Sequence, residues 1–174
     1  MNNGQEGCQC GSDCCGTPVA GKKVHIEFLY LDLNECERCQ VTDSNLDAAV
    51  SAVAPVLAAA GYETVVDKIN IVSAELAMQH KFVSSPTIRV NGRDMALEVT
   101  ETLCGDCGDL CGSETLCRSW IYEGAEHDEP PTGMIIAAIL RGVFGGESAA
   151  PAAEEPYVLP ENLAKFFVGV TARR

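Results

Sequence analysis

Residues 24–39 read VHIEFLYLDLNECERC. The first eight residues of this stretch are rich in β-branched and aromatic side chains, which predicts a mostly buried strand over residues 24–31. The strand runs into a Cys-x-x-Cys pair, Cys36 and Cys39, and a helical pattern begins beyond it. Such a junction puts Cys36 at or near a helix N-terminus, where unpaired N–H groups and the helix dipole favour thiolate over thiol.

The spacing of Cys36 and Cys39 suits two kinds of chemistry. In disulfide exchange Cys36 attacks as the thiolate, and Cys39 can then swing onto the mixed disulfide and resolve it. The same spacing also suits two ligands of one soft metal ion. A structural zinc half-site, or two buried thiols without a chemical role, is the alternative interpretation of this pair.

Beyond the pair, the apolar pattern predicts alternating helices and strands. The first helix has Gly61 as its C-cap and is expected to kink at Pro55. Its apolar stripe consists of Leu46, Val50, Val53, Leu57 and Ala60. A second buried strand over residues 64–72 follows, and then a short helix over residues 73–80 that is N-capped by Ser73.

The next signal is Asn91-Gly92, a dipeptide typical of tight hairpin turns, which lies between apolar runs at residues 88–90 and 95–99. A glycine- and cysteine-rich loop over residues 101–120 interrupts the pattern, and an apolar helix is predicted over residues 133–144. The order strand, helix, strand, helix, strand, strand, helix indicates an α/β domain.

This order resembles that of the thioredoxin-like superfamily over roughly residues 23–100 and the last helix. The matching segments are residues 68–71 (KINI), 77–82 (AMQHKF), 83–88 (VSSPTI) and Asn91-Gly92. The resemblance implies an α/β fold with a central mixed sheet of about four strands flanked by helices, to which this chain adds a cysteine-rich loop insertion.

In that superfamily the proline of the Pro-Thr step is cis and lies against the cysteine pair. The resemblance therefore implies that Pro86 is cis, that it shapes a substrate groove, and that Ser85 faces Cys36. Three features depart from the family pattern. Glu35 stands where an aromatic residue usually precedes the first cysteine, and the dipeptide between the cysteines is charged. Pro55 also lies much further past the second cysteine than the helix-kinking proline of the family does. These departures favour a specialised thiol chemistry over general thioredoxin activity.

A second cysteine cluster lies in the insertion, which is similar to that of a poorly characterised cysteine-rich branch of the superfamily. The candidate ligands are Cys104, Cys107, Cys111 and Cys117. The glycines between them let the backbone curl so that the sulfurs can converge. A loop this poor in apolar residues needs a cross-link. The candidates are a zinc ion on four thiolates, disulfides or redox thiols, or an iron–sulfur cluster, whose usual spacings are not reproduced here.

A third cluster lies in a glycine-rich arm over residues 1–21. It contains Cys8, Cys10, Cys14 and Cys15. Adjacent and alternate cysteines suit soft ions of low coordination number, such as Cu(I), or trivalent arsenic held by three thiolates. The arm has too little apolar surface to fold alone, so it could carry an ion or electrons to the Cys36 pair, or its cysteines could be incidental.

The 174-residue chain has a formal net charge of −13 and a pI near 4.5. This acidity argues against a nucleic-acid or anionic membrane surface as partner, because both would repel the chain. No secretory signal pattern opens the sequence, and the apolar run at residues 134–140 is too short to span a bilayer, so a cytoplasmic protein is expected. In a reducing cytosol the ten cysteines favour metal ligands or working thiols over a static disulfide frame.

The sequence thus predicts a flexible arm at residues 1–21, a thioredoxin-like domain at 22–144 with its insertion at 101–120, and a linker with a short docking helix at 145–174. The leading functional hypothesis is a thiol-disulfide oxidoreductase that needs no cofactor for exchange and acts on protein disulfides or small thiols. The alternative is a non-enzymatic binder or carrier of soft metal or metalloid ions, namely zinc, copper(I) or arsenite.

Overall fold

The sheet at the centre of the molecule is mixed. In the computed structural model, strand β1 (Lys22–Tyr30) is parallel to β2 (Tyr62–Asn70) and antiparallel to β3 (Thr87–Val90), which pairs with β4 (Arg93–Asp94). The strand order is β2-β1-β3-β4. The structure describes residues 21–96, 98–146 and 156–173. This four-stranded mixed sheet with flanking helices is compatible with the predicted thioredoxin-like fold.

Two helices occupy the predicted places between the first three strands. Helix α1 (Glu37–Ala59) connects β1 to the parallel strand β2 and continues through Pro55 as one helix. Helix α2 (Ala74–Gln79) is N-capped by Ser73, whose Oγ accepts a hydrogen bond from Leu76 N at 3.3 Å. The prediction of Ser73 as the N-cap is therefore confirmed.

The Asn91-Gly92 turn joins β3 directly to β4. Both turn residues have positive φ, 51° and 76°, as a two-residue hairpin of this kind requires. Arg93 and Asp94 form the return strand, instead of the expected residues 95–99. The shorter hairpin leaves Met95 buried in the core.

The cysteine-rich insertion has secondary structure of its own, so the prediction of a loop is wrong. Strand β5 (Thr100–Leu103) pairs antiparallel with β6 (Leu116–Tyr122), and helix α3 (Gly105–Cys111) connects the two. Strand β6 also pairs antiparallel with β7 (Ala125–His127). Burial explains why this segment is ordered. Trp120 on β6 has no exposed surface and packs in the main core of the domain.

Two further helices complete the structure. Helix α4 (Thr132–Phe144) matches the predicted apolar helix and packs on α1. Helix α5 (Glu161–Arg173) is longer than the predicted docking helix and packs on α3. The two backbones are so close that a side chain at Gly169 would overlap the Cys111 carbonyl. In the described part of the chain, no helix has the length and apolarity needed to cross a bilayer.

The apolar side chains form two cores, because β1 is the central strand and is buried on both faces. The main core includes Val24, Ile26, Phe28, Leu46, Val53, Ile88 and Ile135. The second core includes Leu29, Leu31, Phe82, Leu163, Phe166 and six cysteines. The cysteine pair of the domain and the four cysteines of its insertion therefore share one core, to which side chains of α3 and α5 contribute.

Arg38, which lies between the two cysteines of the first pair, anchors the insertion to α1. Its guanidinium donates to the carbonyl oxygens of Cys117 and Arg118 at 3.2 Å each, and to Thr102 Oγ1 at 3.0 Å. It also forms an ion pair with Asp128 at 2.7 Å. Only 8% of Arg38 is exposed, so these bonds join α1 to β5 and β6 in a largely dry environment.

Replacing Arg38 with methionine should lower the free energy of unfolding by about 2–4 kcal/mol, because the carbonyl oxygens lose their donors while they remain buried. Urea denaturation of the reduced protein measures the change. Glu37→Gln, at the exposed neighbouring position, is the matched control and should cost about 1 kcal/mol or less. Equal losses in the two variants would show that Arg38 does not anchor the insertion.

Candidate functional site

All six cysteines in the described part of the chain carry free thiols and are buried. Five of them form one group, the thiol cluster, which consists of Cys36, Cys39, Cys104, Cys107 and Cys117. Sequence analysis places the first pair and the insertion cysteines in separate clusters. The fold brings them together.

The sulfur atoms of the thiol cluster are close enough to share one ion. The Sγ atoms of Cys36, Cys104 and Cys107 all lie within 4.8 Å of one another. Cys107 Sγ is 3.8 Å from Cys36 Sγ and 3.4 Å from Cys117 Sγ. This group of cysteines could therefore bind a metal ion.

Two similar helix starts bring the sulfurs together. Cys36 is the N-cap of α1 and Cys104 is the N-cap of α3, and both have an extended backbone. The second cysteine of each Cys-x-x-Cys motif follows about one helical turn later, so the two sulfurs of a motif lie on the same side. Cys117 reaches the group from β6, whose pairing with β5 sets its position.

Two aspartates fix the backbone around the first cysteine of the pair. Asp32 Oδ1 accepts hydrogen bonds from the N–H groups of Asn34 and Glu35, at 2.7 and 2.6 Å. Asp106 Oδ2, on α3, accepts a hydrogen bond from Glu37 N at 2.8 Å. This carboxylate satisfies one of the N–H groups that the start of α1 leaves unpaired, and it holds α3 directly over the pair.

Ser85 lies beside the cysteine pair, and its peptide bond to Pro86 is cis, as predicted. Ser85 Oγ accepts a hydrogen bond from Leu31 N at 3.1 Å and lies 3.5 Å from Cys39 Sγ. Its sulfur contact is thus with the second cysteine of the pair, whereas the first was expected. The Ser85 carbonyl accepts a hydrogen bond from Arg118 N at 2.6 Å, so β6 runs alongside this segment.

The thiol cluster is closed to solvent except at one residue. Cys36, Cys39, Cys107 and Cys117 are 0% exposed, and Cys104 is 7% exposed. A protein disulfide cannot approach Cys36 while α3 stays in place. Attack by Cys36 on an external protein disulfide therefore requires α3 to move.

Hydrogen bonds among the thiols decide which sulfurs are charged. The pKa of Cys104 lies well below its usual range because the thiols of Cys107, Cys117 and Cys36 donate to its sulfur. The bond to Cys104 in turn raises the pKa of each donor. Cys36 has one proton, which can serve Cys104 or Cys39, and hydrogen bonding with Cys36 lowers the pKa of Cys39. These shifts favour the thiolate form at Cys104 and Cys39 and the thiol form at Cys36, although Cys36 lies at a helix start.

Cys111 has different contacts from the other insertion cysteines, although the sequence groups it with them. It ends α3, and its Sγ lies 3.0 Å from Thr115 Oγ1 and 3.2 Å from Ser113 Oγ. These two hydroxyl groups hold the thiol at the end of the helix. The predicted ligands of the arm, Cys8, Cys10, Cys14 and Cys15, lie outside the described residues.

Three features of the site are not predicted from the sequence. Arg38 and Asp106 each lie inside a Cys-x-x-Cys motif, yet neither is identified there as a residue that builds the site. The third feature is the convergence of the two Cys-x-x-Cys motifs in one cluster. The repetition of the motif could have predicted this convergence, because two Cys-x-x-Cys pairs are a common pattern of zinc ligands.

Comparison with known proteins identifies a family without a known function. No curated protein and no solved structure matches the chain. A family model for a domain of unknown function, DUF2703, matches residues 24–139. That range covers most of the 174 residues and contains both Cys-x-x-Cys motifs. The chain therefore belongs to the DUF2703 family.

Proposed function

We propose that this protein binds a soft metal or metalloid ion through Cys36, Cys104 and Cys107, with Cys117 as the fourth ligand of an ion that takes four. The observation that carries the proposal is the convergence of three sulfurs within 4.8 Å of one another from two distant segments of the chain. Thiols are weak hydrogen-bonding groups, so their contacts alone contribute little to holding the segments together. A shared ion supplies a strong bond at this place.

The sulfur spacing supports a metal–thiolate site. In a tetrahedral zinc site with Zn–S bonds of about 2.3 Å, neighbouring sulfurs are about 3.8 Å apart. Cys36 and Cys107 have this separation, 3.8 Å, and Cys107 and Cys117 are 3.4 Å apart. Cys117 lies outside the group of three sulfurs within 4.8 Å of one another, so binding of a four-coordinate zinc ion requires its sulfur to move closer to the others. The three closest sulfurs suit trivalent arsenic or Cu(I), which are held by few soft ligands.

The charges around the thiol cluster support the same function. Several thiolates around one divalent ion carry a net negative charge, which is costly in a buried place. Arg38 brings a positive charge beside the ligand Cys117, to whose carbonyl oxygen its buried guanidinium donates, and the ion pair with Asp128 balances part of this charge. A guanidinium stays protonated and has no free lone pair, so it does not compete for the ion.

We also interpret the domain as thioredoxin-like and the protein as cytoplasmic. The strand order and the position of the Cys36 pair, where β1 leads into α1, support the fold interpretation. The six described cysteines are all free thiols, which fits a reducing compartment such as the cytosol.

Thiol-disulfide exchange is the second candidate function, and the sulfur contacts from Cys36 through Cys107 to Cys117 favour it. If Cys107 and Cys117 form a disulfide, Cys36 passes its proton to the Cys39 thiolate and attacks Cys107 Sγ, and Cys117 leaves as a thiolate. Cys39 then gives up this proton, which ends on Cys117, and attacks Cys36 Sγ, which releases Cys107 as a thiolate and forms the Cys36–Cys39 disulfide. Two electrons pass from the first pair to the insertion pair, and no cofactor is needed.

Reduced protein purified without oxygen should bind one zinc ion more than the Cys107→Ser variant, because the substitution removes the sulfur in contact with two others. Native mass spectrometry before and after unfolding counts the bound ions. Cys111→Ser is the matched control and should keep the wild-type count. The arm cysteines are the same in all three proteins, so their contribution cancels. Equal counts for Cys107→Ser and wild type would contradict a zinc site in the thiol cluster.

For the second candidate, Cys39→Ser should trap the Cys36–Cys107 disulfide, because the thiol that resolves it is missing. The metal-free protein is treated with glutathione disulfide as the oxidant, and peptide mapping without reductant identifies the bonds. Wild type should accumulate the Cys36–Cys39 disulfide, and the double variant Cys39→Ser/Cys107→Ser should lack the trapped bond. If Cys39→Ser carries only glutathione on Cys36, exchange within the cluster does not occur.

A further inference from the structure

A surface groove of about 490 Å³ opens beside Cys104. Residues of α3, of the segment that follows it and of the end of α5 line the groove, among them Cys104, Gly105, Asp109, Glu114 and Arg173. Cys104 is the one residue of the thiol cluster with exposed surface. An ion that reaches the cluster without displacing α3 therefore passes through this groove.

The groove is much larger than a single ion requires. Pockets of about 300–1,000 Å³ typically hold small organic ligands, and the volume of about 490 Å³ falls in that range. Gly105 contributes to the open space, because no atom lies within 4 Å of the place where its Cβ would stand. The space fits an ion that arrives bound to a small molecule.

The rim of the groove carries charges of both signs. Arg173 lies at the end of α5, where its guanidinium donates a hydrogen bond to the Asp109 carbonyl oxygen. The acidic residues Asp109 and Glu114 belong to the same lining. A cation that can pair with a carboxylate and carboxylates that can pair with an ammonium group suit a zwitterionic ligand.

We propose that this groove binds an amino-acid or short-peptide thiol that carries the soft ion, and that Cys104 takes the ion from it. This inference rests on the proposed function. The Cys104 thiolate forms a bond to the ion, the bond between the ion and the carrier sulfur breaks, and the carrier leaves as a thiolate. Cys107 and Cys36 then replace further carrier thiolates, and each passes its thiol proton to the carrier that it displaces. The oxidation states of the ion and of every sulfur stay the same.

The test measures how fast the reduced protein binds cobalt(II) after stopped-flow mixing without oxygen. The absorption spectrum of cobalt(II) reports its coordination by thiolates. Cobalt is supplied as the free ion or as its complex with cysteine. The signal of the Cys107→Ser variant is subtracted, so that the arm cysteines do not contribute. The measured quantities are the transfer rate and the final spectrum.

Gly105→Leu places a side chain in the groove and should slow transfer from the cysteine complex about tenfold or more, because the carrier can no longer dock. The final spectrum should match that of wild type, since no ligand has changed. Gly105→Ala is the matched control and should transfer within about twofold of wild type, because alanine is small and favours the helix. Arg173→Gln should slow transfer from the complex about threefold and should not slow the uptake of free cobalt, because the loss of a positive charge at the rim does not hinder a divalent cation.

A wild-type transfer rate in Gly105→Leu, with a normal final spectrum, would overturn the groove proposal. If Gly105→Leu does not reach the normal final spectrum, Arg173→Gln decides, and a wild-type rate for the cysteine complex then overturns the proposal. If wild-type protein shows no cobalt–thiolate spectrum after the Cys107→Ser signal is subtracted, the proposed metal site itself is wrong. The two failures are therefore distinguishable.

Discussion

The bonds of one buried guanidinium hold the two parts of the site together. Without Arg38, the carbonyl oxygens of Cys117 and Arg118 would be buried beside α1 with no donor from that helix. Because Arg38 lies inside the first Cys-x-x-Cys pair, the helical turn that positions Cys39 also positions the insertion. This arrangement gives a physical reason for the charged dipeptide that departs from the thioredoxin-like pattern.

The insertion changes what the first cysteine pair can do. At the end of a strand with solvent above it, such a pair is a surface nucleophile. Here α3 covers it, Asp106 bonds to the first turn of α1, and Cys36 has no exposed surface. The partners within reach of Cys36 are sulfurs of the same chain, and Cys107 Sγ lies 3.8 Å away. Burial thus turns an attacking pair into part of an internal ligand set.

Local signals were sufficient for the elements of the central sheet and its helices, whereas non-local pairing determined the insertion and the site. The Ser73 cap and the Asn91-Gly92 turn each depend on neighbours in sequence, and both are present. The contact between Cys36 and Cys107 joins residues 71 positions apart, so no local spacing records it. Strand β6 was missed because Arg118 interrupts its apolar pattern, although this arginine is fully buried in an ion pair with Asp94.

The close packing of α5 on α3 affects how well the thiols are protected from oxidation during purification and storage. Gly169 leaves no room for a side chain against Cys111, so the last helix forms a tight cover over the thiol layer. Leu163, Phe166 and Phe167 of this helix pack in the same core as the six cysteines, so the helix keeps the thiols of a second molecule away from them, while Cys104 stays reachable from the groove. Proteolytic loss of the C-terminal helix during purification would therefore uncover thiols that are buried in the intact protein, and these could cross-link between molecules in air. Shelf life would then depend on a residue that has no chemistry of its own.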